Sequence, residues 1–219
     1  MDKLRIFNAN WSSRSAGPSL DNNRRVEIFL AGCQKAESGQ PCKGCFNPDL
    51  WSRENCVAEQ TPREAFEHIR KYAPNKYITF VGGEPLDQAE PLAELCRLLK
   101  EDGFHIIVIT HYLGSDIKLW ARARKFYGVL LDNIDGLVDG VYIEEFRIWD
   151  KEKAGDGLHD VIGSGNQCIW DFRRINRGET MGLVLAGDLE CWAMNVNQDF
   201  VYIYKNEAWG RLYGEKVAV

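Results

Sequence analysis

The chain has 219 residues, is 45% hydrophobic and 27% charged, and carries a formal charge of −5, which fits one large domain, or one domain and an appendage, with a buried core. A net negative chain offers no basic field to hold a phosphate backbone, so nucleic acid is not an expected partner. Met1 to Asn8 shows no apolar stretch of signal-peptide type, and apolar runs such as Val26 to Ala31 and Phe104 to Ile109 are far shorter than a membrane span; a cytoplasmic protein with no membrane partner is expected.

Val26 to Ala31 reads as a mostly apolar strand, followed at once by Gly32 and Cys33. From there to Asn55 the chain is rich in Gly, Pro, Ser and Asn, which predicts a long loop of the functional kind. Thr61-Pro62-Arg63-Glu64 is a helix start, with Thr as N-cap and Glu closing a capping box. Ala65, Ile69 and Tyr72 share one face of that helix. Lys76 to Val81 is a second strand, ended by Gly82-Gly83-Glu84-Pro85. A helix over about 89–101 places Leu92, Leu95, Cys96 and Leu99 on one side. Phe104 to Thr110 is nearly continuously apolar, as a parallel strand covered on both faces is. Ser115 is a candidate cap for a helix to about Tyr127, and a shorter strand falls around Gly136 to Asp139. Strand, loop and helix in this alternation predict an α/β fold on a parallel sheet with right-handed crossovers. The polar stretch Lys151 to Gly157 reads as a surface loop. Beyond Arg177 the pattern turns to strands alone, at Met181 to Ala186 and Phe200 to Tyr204, with Trp192 and Trp209 in an ordered tail.

Seven cysteines in a chain with no export signal argue for reduced thiols, and four of them fall within 24 residues: Cys33, Cys42, Cys45 and Cys56. Cys42 and Cys45 form a Cys-x-x-Cys pair, with Cys33 upstream to complete a facial set. Structural zinc is one reading, but it needs a fourth ligand; Cys56 stands alone and His68 lies on the predicted helix. An iron–sulfur cluster with one iron left open is the other reading, and an open iron is a place for a substrate. Gly82-Gly83-Glu84-Pro85 ends a strand just as the cysteine loop does, and ligands of parallel sheets bind at the carboxyl ends of the strands. Read alone, that string is an ordinary turn. The shared rim gives it weight.

Along residues 17–172 a series of strings runs in order: Gly17-Pro18 with Arg25, Gly32-Cys33, Cys42-Lys-Gly-Cys-Phe-Asn-Pro48 with Leu50-Trp51, Phe80-Val-Gly-Gly-Glu-Pro85, Thr110-His-Tyr112, Leu137-Val-Asp-Gly140 and Gly163-Ser-Gly-Asn-Gln167. In these the chain resembles the radical S-adenosylmethionine superfamily, and within it the activators of anaerobic, glycyl-radical ribonucleotide reductases. The resemblance implies a partial (β/α) barrel over residues 1–175 and a mostly-β C-terminal extension, 176–219, packed on it. It implies a 4Fe–4S cluster on Cys33, Cys42 and Cys45, reductive cleavage of S-adenosyl-L-methionine to a 5′-deoxyadenosyl radical, and hydrogen abstraction from a glycine of the reductase. A flavodoxin-type protein is the implied electron donor. Gly82, Gly83, Glu84 and Pro85 would line the methionine end of the cofactor, and Thr110 is a further contact or else a strand-end residue bonding its own loop. Ser164, Asn166 and Gln167 would lie near the nucleoside end or a partner interface, and Asp139 is either a cap or a site residue. The alternatives are a radical enzyme with a different protein, peptide or small-molecule target, and a non-catalytic zinc or Fe–S module. Two departures stand out. Eight residues separate Cys33 from Cys42 where the superfamily has three, and His111 replaces a small residue.

Overall fold

The computed structural model describes residues 2–153, 155–179 and 182–206. β1 (Leu4–Ser13) runs antiparallel to β2 (Arg25–Leu30). After β2 come the single turn α1 (Gln34–Glu37) and the short β3 (Ala58–Gln60), which pairs with the outer side of β1. α2 (Pro62–Tyr72), β4 (Tyr77–Gly82), α3 (Ala89–Glu101), β5 (His105–Ile109), α4 (Gly114–Trp120), α5 (Lys125–Asp132) and β6 (Gly136–Asp139) continue the alternation. α6 (Leu158–Val161), β7 (Cys168–Asp171), α7 (Phe172–Asn176), β8 (Leu183–Leu185), β9 (Leu189–Met194) and β10 (Phe200–Tyr204) complete it. The main sheet has the order β3-β1-β2-β4-β5-β6-β7-β8, and β9 and β10 form a separate antiparallel ribbon. β2, β4, β5 and β6 are parallel, with antiparallel strands flanking them on both sides.

Strand alternation sends the side chains of the parallel core to two different layers. Val26, Ile28, Ile78, Phe80, Ile106, Val108 and Leu137 face the helices and form one core with Leu92, Leu95, Leu99 and Leu130. On the opposite face, Ile107, Val138, Ile169 and Val184 pack with Leu158, Ile162, Trp192, Phe200 and Tyr202. Trp192 is fully buried there. The ribbon therefore covers the sheet's second face. α2 begins as the sequence predicts: Thr61 Oγ1 accepts from Glu64 N, and a Glu64 carboxylate oxygen accepts from Thr61 N at 2.8 Å, a cap that contributes about 1 kcal/mol.

Several expectations are corrected. The helix from Ser115 to Tyr127 is two helices, α4 and α5, joined by a turn at residues 121–124. Ser115 lies inside the first turn of α4, because the capping oxygen comes from far along the chain: Asp139 Oδ2 accepts from Gly114 N at 2.6 Å. The strand over 181–186 is β8, Leu183–Leu185, with Ala186 in the turn that follows. Met181 and Trp209 lie outside the described residues. Lys151–Lys153 is one turn of 3-10 helix, and Ala154 is outside the described residues. β1, β3, β7 and β9 are strands with no counterpart in the expectations. No helix among the described residues is long and apolar enough to cross a membrane.

Candidate functional site

Because β2, β4 and β5 are parallel, the segments that follow them emerge on one rim. Cys33 follows β2, Gly83-Glu84 follows β4, and Thr110-His111 follows β5. The cysteine loop is anchored there by backbone bonds, Gly32 N donating to Leu50 O at 2.8 Å and Cys33 N to Trp51 O at 2.9 Å. α1 starts at Cys33 and is held by Glu37, whose carboxylate pairs with Arg53 at 3.0 Å. Asp87 accepts from Gln34 N and, through its other oxygen, from Tyr112 Oη at 2.8 Å. One carboxylate thus ties the cysteine turn to the loops after β4 and β5. Cys45 N donates to Cys42 O at 3.2 Å, closing the Cys-x-x-Cys turn.

The two glycines at the end of β4 serve a close approach between backbones. Gly82 has φ +137°, and a Cβ there would meet Leu30 O at 2.3 Å. A Cβ on Gly83 would meet Gly32 O at 2.3 Å and Leu50 O at 2.4 Å. Without side chains, Gly83 N donates to Leu30 O and Glu84 N to Gly32 O, both at 2.8 Å. The turn is pressed directly on the base of the cysteine loop.

Glu84 is buried, and its carboxylate is surrounded by donors. Oε1 accepts from Leu86 N at 2.8 Å and from Thr110 Oγ1 at 2.6 Å. Oε2 accepts from His111 N at 2.8 Å and lies 2.7 Å from His111 Nδ1. Burial lowers the His111 pKa, but the Cys33 and Glu84 partners outweigh it and raise it to about 10. Thr110 Oγ1 also accepts from Tyr112 N at 3.1 Å, so it bonds both Glu84 and its own loop.

These groups share a cavity of about 450 Å³. Cys33, Cys42, Cys45, Gly82, Gly83, Glu84, Thr110 and Gln167 line it. Phe29, Val81 and Ile109 form an apolar stretch of wall, and Glu27 lies with Ser15 on the same wall. Pro85, Ser164 and Asn166 are not in the lining. Pro85 opens a buried turn of 3-10 helix. Ser164 Oγ accepts from Ile143 N at 3.1 Å, and Asn166 Nδ2 donates to Val141 O at 2.9 Å. Gln167 Nε2 donates to Gly140 O at 3.0 Å. These three brace the loop before β7 against the segment after β6. Asp139 acts as a brace as well, its Oδ2 accepting from Gly114 N and, at 2.8 Å, from Trp170 Nε1. His68 is remote, stacked on Trp11 at 5.6 Å.

The sequence reading missed Glu27, Tyr142, Trp149 and Asp160, all in the lining. Only Glu27 carried a signal, as the one acid in an apolar strand. It is 8% exposed, and burial drives its pKa up to about 7 although Ser13 donates to it.

A family profile described as a 4Fe-4S single cluster domain matches residues 22–169, more than half of the chain and spanning all three loop cysteines. The chain belongs to the 4Fe-4S single cluster domain family. Among curated proteins it is similar to the pyruvate formate-lyase-activating enzyme of Clostridium pasteurianum, 33% identical over 103 residues, which is 45% of this chain and 39% of the relative. The enzyme of that name in Staphylococcus aureus (strain USA300) is 33% identical over 112 residues, 48% of this chain and 41% of the relative. The chain spans about two fifths of the length of these relatives.

The residues present fit the cluster this family is described by. All seven cysteines are free thiols, and three of them gather on one cavity wall. The Cys42 thiol is pushed above its usual range, first by burial and then by the neighbouring Cys45 and Cys33. Adjacent thiols that oppose one another's ionisation are stabilised as thiolates by a cationic metal assembly. Among the described residues no three His, Cys, Asp or Glu side chains close on a single ion. A four-iron cube takes one thiolate at each of three corners, which suits thiols spread around a wall.

Proposed function

We propose that the chain is a radical S-adenosylmethionine enzyme whose partial-barrel cavity activates a protein partner by abstracting a hydrogen atom from a backbone glycine. The observation that carries this reading is the sharing of one cavity by three cluster cysteines and the Gly82-Gly83-Glu84 turn, at the carboxyl ends of parallel strands. When bound, a 4Fe–4S cluster supplies the single electron that splits the sulfonium bond, giving methionine and a 5′-deoxyadenosyl radical. The chain's own residues provide the setting. Cys33, Cys42 and Cys45 would hold such a cluster through three thiolates, so that one iron would be left to the reactant. Gly83 lets the turn after β4 press on the base of the cysteine loop, and the Glu84–Thr110–His111 group fixes the polar side of the cavity. Phe29, Val81 and Ile109 keep water from its middle, which protects a reactive carbon from stray hydrogen donors.

The ordered strings Cys42 to Pro48 and Gly163 to Gln167 favour an anaerobic ribonucleotide reductase as the partner, with a flavodoxin-type electron donor. A second reading, activation of another protein by the same chemistry, is favoured by relatives whose name gives pyruvate formate-lyase as their target. The test is anaerobic incubation of the cluster-loaded chain with S-adenosylmethionine, dithionite and a candidate reductase. A glycyl-radical EPR signal on the reductase is expected. Formation of 5′-deoxyadenosine with no radical on any reductase offered would reject that target and favour the second reading.

A further inference from the structure

One of the three cluster cysteines receives a hydrogen bond from an indole of its own loop. Trp51 turns its indole back over the loop, and Nε1 donates to Cys45 Sγ at 3.4 Å. Trp51 also holds a second cluster residue, since its carbonyl oxygen accepts from Cys33 N at 2.9 Å. Its own backbone is fixed by the preceding turn, Trp51 N donating to Pro48 O at 3.2 Å. The indole lines the cavity wall and is half-buried, so its N–H is directed at sulfur by the fold of the loop and not left to solvent.

We propose that Trp51 is a positioning residue that sets the reduction potential of the cluster through the Nε1–H···Sγ bond to Cys45. This rests on the reading that Cys33, Cys42 and Cys45 carry a four-iron cluster. Adding one electron makes the cluster and its thiolates more negative, and a donor aimed at a thiolate sulfur stabilises that state more than the oxidised one. Hydrogen bonds to ligand sulfurs therefore raise the potential. The indole ring stands on the cavity wall with Cys45. A phenyl ring in its place keeps an aromatic wall and removes the donor, so the hydrogen bond is tested apart from the packing.

The experiment is an EPR-monitored redox titration of the reconstituted full chain, without S-adenosylmethionine, for wild type and Trp51→Phe. Iron and sulfide content are measured alongside. The variant is expected to hold the same iron and sulfide but to reduce at a lower potential, with a several-fold smaller reduced fraction at a fixed potential. For a one-electron couple a tenfold change corresponds to about 59 mV. Full cluster content with an unchanged midpoint would overturn the proposal, because a residue that only shapes the loop does not move a potential. If Trp51→Phe does not retain the cluster, the wild-type protein decides the matter. Labelling with tryptophan carrying ¹⁵N in the indole ring should give a ¹⁵N coupling to the reduced cluster in pulsed EPR, and its absence would overturn the proposal. A wild-type chain that takes up no cluster contradicts the reading of the site instead, so the two failures are distinguishable.

Discussion

Glu27 shows how a single side chain records the use of a surface. It sits mid-strand in β2 between Val26 and Ile28, both of which enter the helix-side core. Its own carboxyl faces the cavity, buried, with a pKa near 7 that burial causes. A buried acid of this kind is costly to ionise. Between about 4.5 and about 7 the folded chain holds a proton that the unfolded chain has released, so the protonated carboxyl's contribution to stability is complete below 4.5 and lost as pH rises through 7. Glu27→Gln removes that loss. The variant is expected to gain on the wild type between about pH 5 and about pH 8, by up to about 3 kcal/mol, measured by anaerobic urea unfolding at both pH values. His105, held neutral down to about 3 first by burial and then by Arg25, works in the opposite sense. It is present in both chains and cancels in the comparison. An equal stability difference at both pH values would show that Glu27 ionises freely in the fold.

At the level of elements, what the sequence made visible was whatever is written locally. The capping box of α2 lies within four residues, and the apolar runs of β2, β4 and β5 announce buried parallel strands. The Gly-Gly turn and the cysteine loop were legible because each follows such a run. Elements whose reason lies elsewhere in the chain were not. β1 carries Asn8 and Asn10 on a half-exposed ladder, poor strand formers whose pairing with β2 decides the matter. The start of α4 was hidden for a related reason, since its first N–H is held by Asp139, twenty-five positions away. Trp51 stood out in the sequence only as part of a motif, because its donation to Cys45 depends on how the loop folds back. The Asp139 cap has a direct consequence. Asp139→Ala takes the acceptor from Gly114 N, Trp170 Nε1 and Cys168 N together. A loss of about 1–3 kcal/mol is expected in urea unfolding, and a change near zero would mean that solvent replaces the carboxylate at no cost.

Across the whole molecule, the sheet separates scaffold from site. One face is filled by the helices, and the other is filled at its lower part by the β9–β10 ribbon around Trp192. Above that second core the face stays open as the cavity, with the cysteine loop over the rim. The ribbon fills the second core without lining the cavity, whose polar end is formed by the loops after β2, β4 and β5. Everything proposed for the chain requires the three thiolates to leave one corner of the cluster available to an incoming reactant. The direct test is to load the chain anaerobically with iron and sulfide, reduce it, add S-adenosylmethionine, and follow both the cluster EPR spectrum and 5′-deoxyadenosine. The expected result is a spectrum that changes on addition and 5′-deoxyadenosine that accumulates. Both should be lost in Cys33→Ala and kept in Cys56→Ala. A spectrum indifferent to S-adenosylmethionine, with no 5′-deoxyadenosine formed, would contradict it.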